Sequence, residues 1–200
     1  MKRAQSSIDH ATRPPEIAQR TARVLAATPM LTHFTRASER ASAIDNLAAI
    51  LRDGVIRGAT RMIRGGTPAV CLCDAPLGEL GQIVMRKNRR RYAPFGVAVD
   101  KRYAFAMGAR PVIYLPWREA SRIIPREEWW RVVAIDLERN PPVDWSFERE
   151  WRMAGDMRLG ARAAVALVES WRDADEIYER FGGDPPCAGV IPIKELLGTL

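Results

Sequence analysis

The segment Asp144-Trp145-Ser146-Phe147-Glu148-Arg149-Glu150-Trp151-Arg152 sets two carboxylates two residues apart, interleaved with two guanidinium groups. Read as a strand, it sends Glu148, Glu150 and Arg152 to one face and Phe147, Arg149 and Trp151 to the other, because successive side chains alternate. Two strand steps put the carboxylates about 7 Å apart in Cα spacing. Such a pair suits chemistry in which one carboxylate holds a sugar hydroxyl and stabilises an oxocarbenium-like charge while the other orients or deprotonates an acceptor. The same alternation also describes an edge strand carrying Glu–Arg surface pairs, which are common and worth little. Spacing alone leaves both readings open.

Three further groups bear on chemistry. In Leu31-Thr32-His33-Phe34-Thr35 a strand would align His33 with Thr35, an imidazole and a hydroxyl able to bond ribose hydroxyls, or equally a satisfied core histidine beside the next helix. The run Arg86-Lys87-Asn88-Arg89-Arg90-Arg91 holds five basic residues in six. It opens a stretch to Arg110 in which eight Lys or Arg face one acid, Asp100, with Tyr92, Phe95, Tyr103 and Phe105 between them. Basic groups attract phosphates and aromatic faces stack bases, so this stretch reads as a nucleic-acid contact through Arg86, Lys87, Arg89, Arg90 and Arg91; a solvated face with its aromatics turned inward fits as well. In the stretch 55–66, Arg61 and Arg64 lie among Gly58, Gly65 and Gly66, a second place where phosphate and backbone could approach closely. There is no GxGxxG and no P-loop, so a dinucleotide here is not held in the Rossmann manner. A serine or cysteine triad would have to be built on His33, because His10 is the other histidine and no nucleophile elbow is present.

The elements that must position these groups follow from periodicity. Residues 1–28 read as a polar arm ending at Pro14-Pro15 and a helix starting near Glu16, and residues 29–200 as a single domain. A strand over 31–35 precedes a helix in which Ala43, Leu47, Ile50 and Leu51 recur on one face and Asp53-Gly54 supplies the stop. Further strands are expected at 69–73, 95–99, 111–115, 131–137, 147–154, 163–168 and 188–193. Short helices are expected at 77–85, 101–107 and 173–181. Short strands not strictly alternating with long helices point to an α+β sheet flanked by helices. Of the 31 basic residues all but four are arginine, and the net charge of +7 is matched by the excess within 86–110 alone. Three cysteines, two of them at i and i+2 in Cys71 and Cys73, make neither a disulfide framework nor a four-ligand metal set, so no metal is expected. They read as small buried residues of a reducing cytoplasm. No stretch approaches the ~20 apolar residues of a membrane span, and the N-terminus lacks a signal-peptide core, so a cytoplasmic protein without membrane contact is the expectation.

The order of these features, from the histidine strand through Asn46-Leu47 and Gly54 to AVCLCDAP, FGVAVDK, PVIYLP and SFEREWR, resembles bacterial ADP-ribosyltransferase-like toxins and phage-defence proteins of the DarT and abortive-infection AbiGi type. The likeness runs from about residue 31 to 156, with CAGVIPI as looser support, and Glu-x-Glu-Trp-Arg is its most specific piece. It implies a split-sheet, NAD-binding, ADP-ribosyltransferase-like fold with nicotinamide in a cleft between strands. NAD is then the substrate, His33 the ribose contact, Glu150 the catalytic carboxylate at the nicotinamide ribose, and Glu148 the group that orients the acceptor. An aromatic residue stacking on nicotinamide is implied too, with Tyr92, Tyr103 and Tyr114 as candidates. The expected activity is ADP-ribosyl transfer from NAD to nucleic acid by a toxin or defence effector, with a cognate antitoxin as partner. An inactive antitoxin-like or nucleic-acid-binding module and an NAD glycohydrolase are the alternatives.

Overall fold

A computed structural model describes residues 29–75, 93–160 and 163–194. The expected N-terminal arm and helix (1–28), the helix over 77–85, the basic run 86–91 and Tyr92 lie outside the described residues.

The local sequence explains the two longer helices. Ser42 caps α1 (Ala43–Asp53): its hydroxyl accepts the Asp45 N–H, and the Asp45 carboxylate accepts the Ser42 N–H at 3.0 Å, so two otherwise orphaned donors are satisfied reciprocally. Gly54 ends the helix at φ 62°, ψ 28°, donating its N–H to the Ile50 carbonyl. A second reciprocal cap, Ser170 with Asp173, starts the helix at Trp171–Arg180. Arg180 from that helix reaches Asp45 at 2.8 Å, joining the two.

Among the described residues, seven strands form the main sheet in the order β11-β10-β4-β1-β3-β8-β5, and two small pairs, β2-β9 and β6-β7, stand outside it. These are β1 (Met30–Thr35), β2 (Val55–Ile56), β3 (Ala69–Cys73), β4 (Phe95–Asp100), β5 (Arg110–Pro111), β6 (Ile113–Leu115), β7 (Val132–Ala134), β8 (Glu150–Ala154), β9 (Met157–Arg158), β10 (Ala164–Val168) and β11 (Val190–Pro192). Pairing is antiparallel except at β10–β11 and β6–β7. The remaining helices are α2 (Lys101–Ala106), α3 (Trp117–Ile123) and α4 (Trp171–Arg180). The architecture is thus α+β, with a mainly antiparallel sheet flanked by helices.

Register explains where a site can form. β1 pairs with β4 along its whole length, from Met30↔Asp100 to Thr35↔Phe95, and β3 pairs with β8 from Ala69↔Ala154 to Cys73↔Glu150. Between β1 and β3 a single pair remains, Thr32↔Cys73. The sheet therefore splits there, as the expected split sheet requires. One face packs Leu31, Val97, Val99, Ala166 and Val168 against Leu47, Leu51 and Ile177 of α1 and α4. On the other face Ala98, Val165, Leu167, Ile191 and Ile193 cluster under the β4–β10–β11 half.

One expected strand is divided. Within 111–115, Val112 donates its N–H to the Glu150 carbonyl at 3.0 Å, after which the chain leaves β8 and pairs with β7 instead. Two short strands in different sheets replace the single expected one.

Candidate active site

The split opens onto a cavity of about 490 Å³, within the usual range for small-molecule sites. β1 supplies Thr32, His33 and Phe34 to its wall, β3 supplies Cys71 and Cys73, and β8 supplies Glu150 and Arg152. The register places Cys71 beside Arg152 and Cys73 beside Glu150, so all four project from one face of adjacent strands. The loop before β3 adds Arg61 and Arg64, and the segment leading to β8 adds Arg139, Trp145 and Glu148.

Glu150 is held tightly. Arg152 donates through Nε to Oε1 at 2.8 Å and through Nη2 to Oε2 at 3.2 Å, and the two side chains are only 12% and 6% exposed. The third guanidinium nitrogen, Nη1, donates to the Trp130 carbonyl at 2.7 Å. Burial alone would pull the Arg152 pKa down, but the charge and hydrogen bonds of Glu150 outweigh it and hold the guanidinium above its ordinary value. The pair is therefore a charge-assisted fork whose desolvation is compensated on both sides.

Glu148 reaches the same cavity by a route the alternation rule does not describe. The expected strand over 147–154 begins only at Glu150: Ser146–Glu148 is a 3-10 turn, and Arg149 follows in the left-handed region at φ 44°, ψ 48°. Asp144 causes this, since its carboxylate accepts both the Ser146 N–H at 2.9 Å and the Ser146 hydroxyl at 2.7 Å, favouring a turn over extended backbone. The two carboxylates thus share a cavity without sharing a strand face. Trp145, on the same turn, lines the cavity with its ring centroid 6.1 Å from that of Phe147.

His33 sits where β1 parts from β3. Its Nδ1 lies 2.9 Å from the Cys71 carbonyl, which only accepts, so Nδ1 carries the proton and Nε2 keeps a lone pair. Burial lowers its pKa, partly countered by that hydrogen bond, and favours the neutral ring. The imidazole thus replaces a ladder bond at the split and retains an acceptor for a ligand hydroxyl. The expected partner, Thr35, is used otherwise: its hydroxyl lies between the carbonyls of Ala43 (3.0 Å) and Phe95 (3.3 Å), fastening β1 to the start of α1, and it does not line the cavity.

The arginine loop lines the cavity. Arg61 is exposed at its wall, and the Arg64 guanidinium lies 4.2 Å from the Trp117 ring centroid, which anchors the loop by cation–π contact. Tyr103 is not at the cavity, since its hydroxyl donates to the Arg158 carbonyl at 2.9 Å. Tyr114 does not stack there either: its hydroxyl accepts the Glu150 backbone N–H at 3.0 Å. Among the described residues, the Phe and Trp side chains lining the cavity are Phe34 and Trp145, and no tyrosine does. Arg86, Lys87, Arg89, Arg90, Arg91 and Tyr92 fall outside the described residues.

Both strand cysteines are free, and their thiols are pushed up, to about 12 for Cys71 and about 11 for Cys73. Burial is the main cause in each; Glu150 adds its charge and hydrogen bond at Cys71, and Glu148 and Asp74 add negative charge at Cys73. Neither thiol is a poised nucleophile. Among the described residues no group of three or more His, Cys, Asp or Glu is placed to hold a metal ion, and no helix is long and apolar enough to cross a membrane.

No family model matches the chain. The abortive phage resistance protein AbiGi of Lactococcus lactis subsp. cremoris is 33% identical over 73 residues, which make up 36% of this chain and 28% of the length of that relative. Among solved structures, the DarT protein of Thermus sp. 2.9 in complex with carba-NAD+ aligns over 84% of this chain and 97% of its own, at 13% identity and a TM-score of 0.42. The chain is thus similar, over a short stretch, to a phage-resistance protein and, more distantly in shape, to DarT.

Proposed function

We propose that the protein is an NAD-dependent ADP-ribosyltransferase of the toxin or phage-defence kind whose acceptor is nucleic acid. The observation that carries this reading is the split between β1 and β3, which sets the neutral His33 and the forked Glu150 in the walls of one cavity with Arg61 and Arg64 at its rim. Cleaving the bond between the ribose C1 and the pyridinium nitrogen sends its electron pair to nicotinamide, which leaves neutral and needs no proton. Positive charge then moves onto the ribose. The site must therefore hold the ribose, favour that charge and bind the pyrophosphate.

In this mechanism His33 Nε2 accepts from a ribose hydroxyl, Arg61 and Arg64 face the phosphates, and Glu150 accepts from the hydroxyl of the nicotinamide ribose. An acceptor base attacks C1 and its proton passes to Glu148 or to water. Nothing in the mechanism passes through Cys71 or Cys73, consistent with their protonated thiols. The test is incubation with NAD labelled in the ADP-ribose moiety, against single-stranded DNA, RNA and protein, with Glu150→Gln alongside. Label on a nucleic acid, lost in the variant, is expected. Label on protein alone overturns the acceptor assignment, release of free ADP-ribose alone points to a glycohydrolase, and no nicotinamide release overturns the reading.

A further inference from the structure

We propose that Arg152 and Tyr114 are positioning residues that hold Glu150 as an acceptor fixed in plane and place; this rests on the transferase reading above. An ionised carboxylate offers about four acceptor positions. Arg152 occupies one on each oxygen, and Cys71 stands across the β3–β8 ladder from Arg152. One position on each oxygen is left for a ligand hydroxyl. A bidentate fork also fixes the plane of the carboxylate, which a single-point lysine contact does not. Glu150 is thereby suited to accept a hydrogen bond in a fixed plane and poorly suited to swing onto C1 as a nucleophile.

The fork is itself braced from outside the main sheet. Arg152 Nη1 is tied to the Trp130 carbonyl at 2.7 Å, two residues before β7 begins. The Glu150 backbone is tied from β6, the partner of β7, through its N–H to the Tyr114 hydroxyl at 3.0 Å. Its carbonyl accepts from Val112 N–H at 3.0 Å. The small β6–β7 sheet therefore clamps the residue at backbone and side chain together. This gives Tyr114 a role other than stacking on a ligand ring.

The experiment measures kcat and KM for NAD in Arg152→Lys, Arg152→Gln, Tyr114→Phe, Glu150→Gln and the double variants Glu150→Gln/Arg152→Gln and Glu150→Gln/Tyr114→Phe, with melting temperatures for each. Arg152→Lys and Tyr114→Phe are expected to lower kcat about tenfold with KM within about twofold, because an oriented acceptor acts in the transition state. Each double variant is expected to lose nothing beyond Glu150→Gln, since both residues act through that carboxylate. Full additivity, or a wild-type kcat in Arg152→Lys, overturns the proposal. Should the Arg152 variants not fold, Tyr114→Phe, which removes one oxygen, decides it. A readout independent of activity is hydrogen exchange at the Glu150 amide, expected to quicken at least about tenfold in Tyr114→Phe. An unchanged rate overturns the clamp. A wild-type protein that releases no nicotinamide while the amide responds sinks the transferase reading and leaves the clamp standing.

Discussion

Alanine at Gly96 is the most direct perturbation of the split. Gly96 lies on β4 between two neighbours, opposite Phe34 of β1 and Leu167 of β10. A Cβ there would fall inside 3.0 Å of the His33 carbonyl oxygen, with Phe34 Cα at 3.2 Å and the His33 carbonyl carbon at 3.3 Å. All three are backbone atoms, so no side-chain rotation relieves the contact. β1 and β4 must part by at least about half an ångström, an overpacking that costs about 1–3 kcal/mol. The smaller entropy of the unfolded chain offsets about 0.4–1 kcal/mol of this. At about 2–4 °C per kcal/mol for a chain of this size, the melting temperature should fall by several degrees. The same shift moves His33 relative to Cys71: half an ångström added to 2.9 Å leaves a bond near the limit of useful geometry. A severalfold rise in KM for NAD should accompany the loss of stability. Gly189→Ala is the control, because nothing lies within 4 Å of a Cβ built there. Urea melts and NAD kinetics on the two variants decide the matter. Equal stability of Gly96→Ala and wild type would refute the β1–β4 register on which the site rests.

Two other outcomes follow from the ionisable groups. With thiols at about 12 and about 11, Cys71 and Cys73 carry only about 10⁻⁴ and 10⁻³ thiolate at pH 8, so mass spectrometry should find both resistant to iodoacetamide in the folded protein and labelled after unfolding; rapid native labelling contradicts their burial. For His33 the folded pKa lies below the unfolded value of about 6.5, so the unfolded chain binds more protons as pH drops below it. Stability present above about pH 6.5 is therefore lost as pH falls toward the folded pKa, by up to about 1.4 kcal/mol per pH unit. His33→Gln should flatten that slope between pH 5 and 7 in denaturant melts, and an unchanged slope would contradict the buried neutral ring.

Much of the frame was legible because its signals are local. The strand of His33, the α1 helix with its Gly54 stop, and the β3 strand, which spans the expected 69–73, follow from periodicity and the glycine cap. The Glu148-x-Glu150 pairing was legible as a pair of carboxylates at one site, but its geometry was not. Strand alternation assumes extended backbone, and an aspartate two residues before a serine, with a left-handed Arg149 behind it, bends the chain before Glu150. Thr35 misled for a related reason: sharing a strand face with His33 does not settle whether a hydroxyl meets a ligand or a carbonyl, and here the carbonyls of Ala43 and Phe95 claim it. The role of Tyr114 depends on a contact 36 residues away in sequence, brought about by a strand that changes sheets, which no local pattern encodes. Arg152 was visible on the Glu150 face; its fork and its anchor on Trp130 were not.

In the proposed mechanism Glu150 promotes departure of nicotinamide from NAD bound in the split. The most direct test of this role is the rate of nicotinamide release from NAD by wild type and by Glu150→Gln, each with a single-stranded oligonucleotide present and with folding checked by melting temperature. Release by the wild type is expected, with a loss of about a hundredfold or more in a variant that still folds and binds NAD. Equal rates in the two proteins, or no release by either, would contradict it.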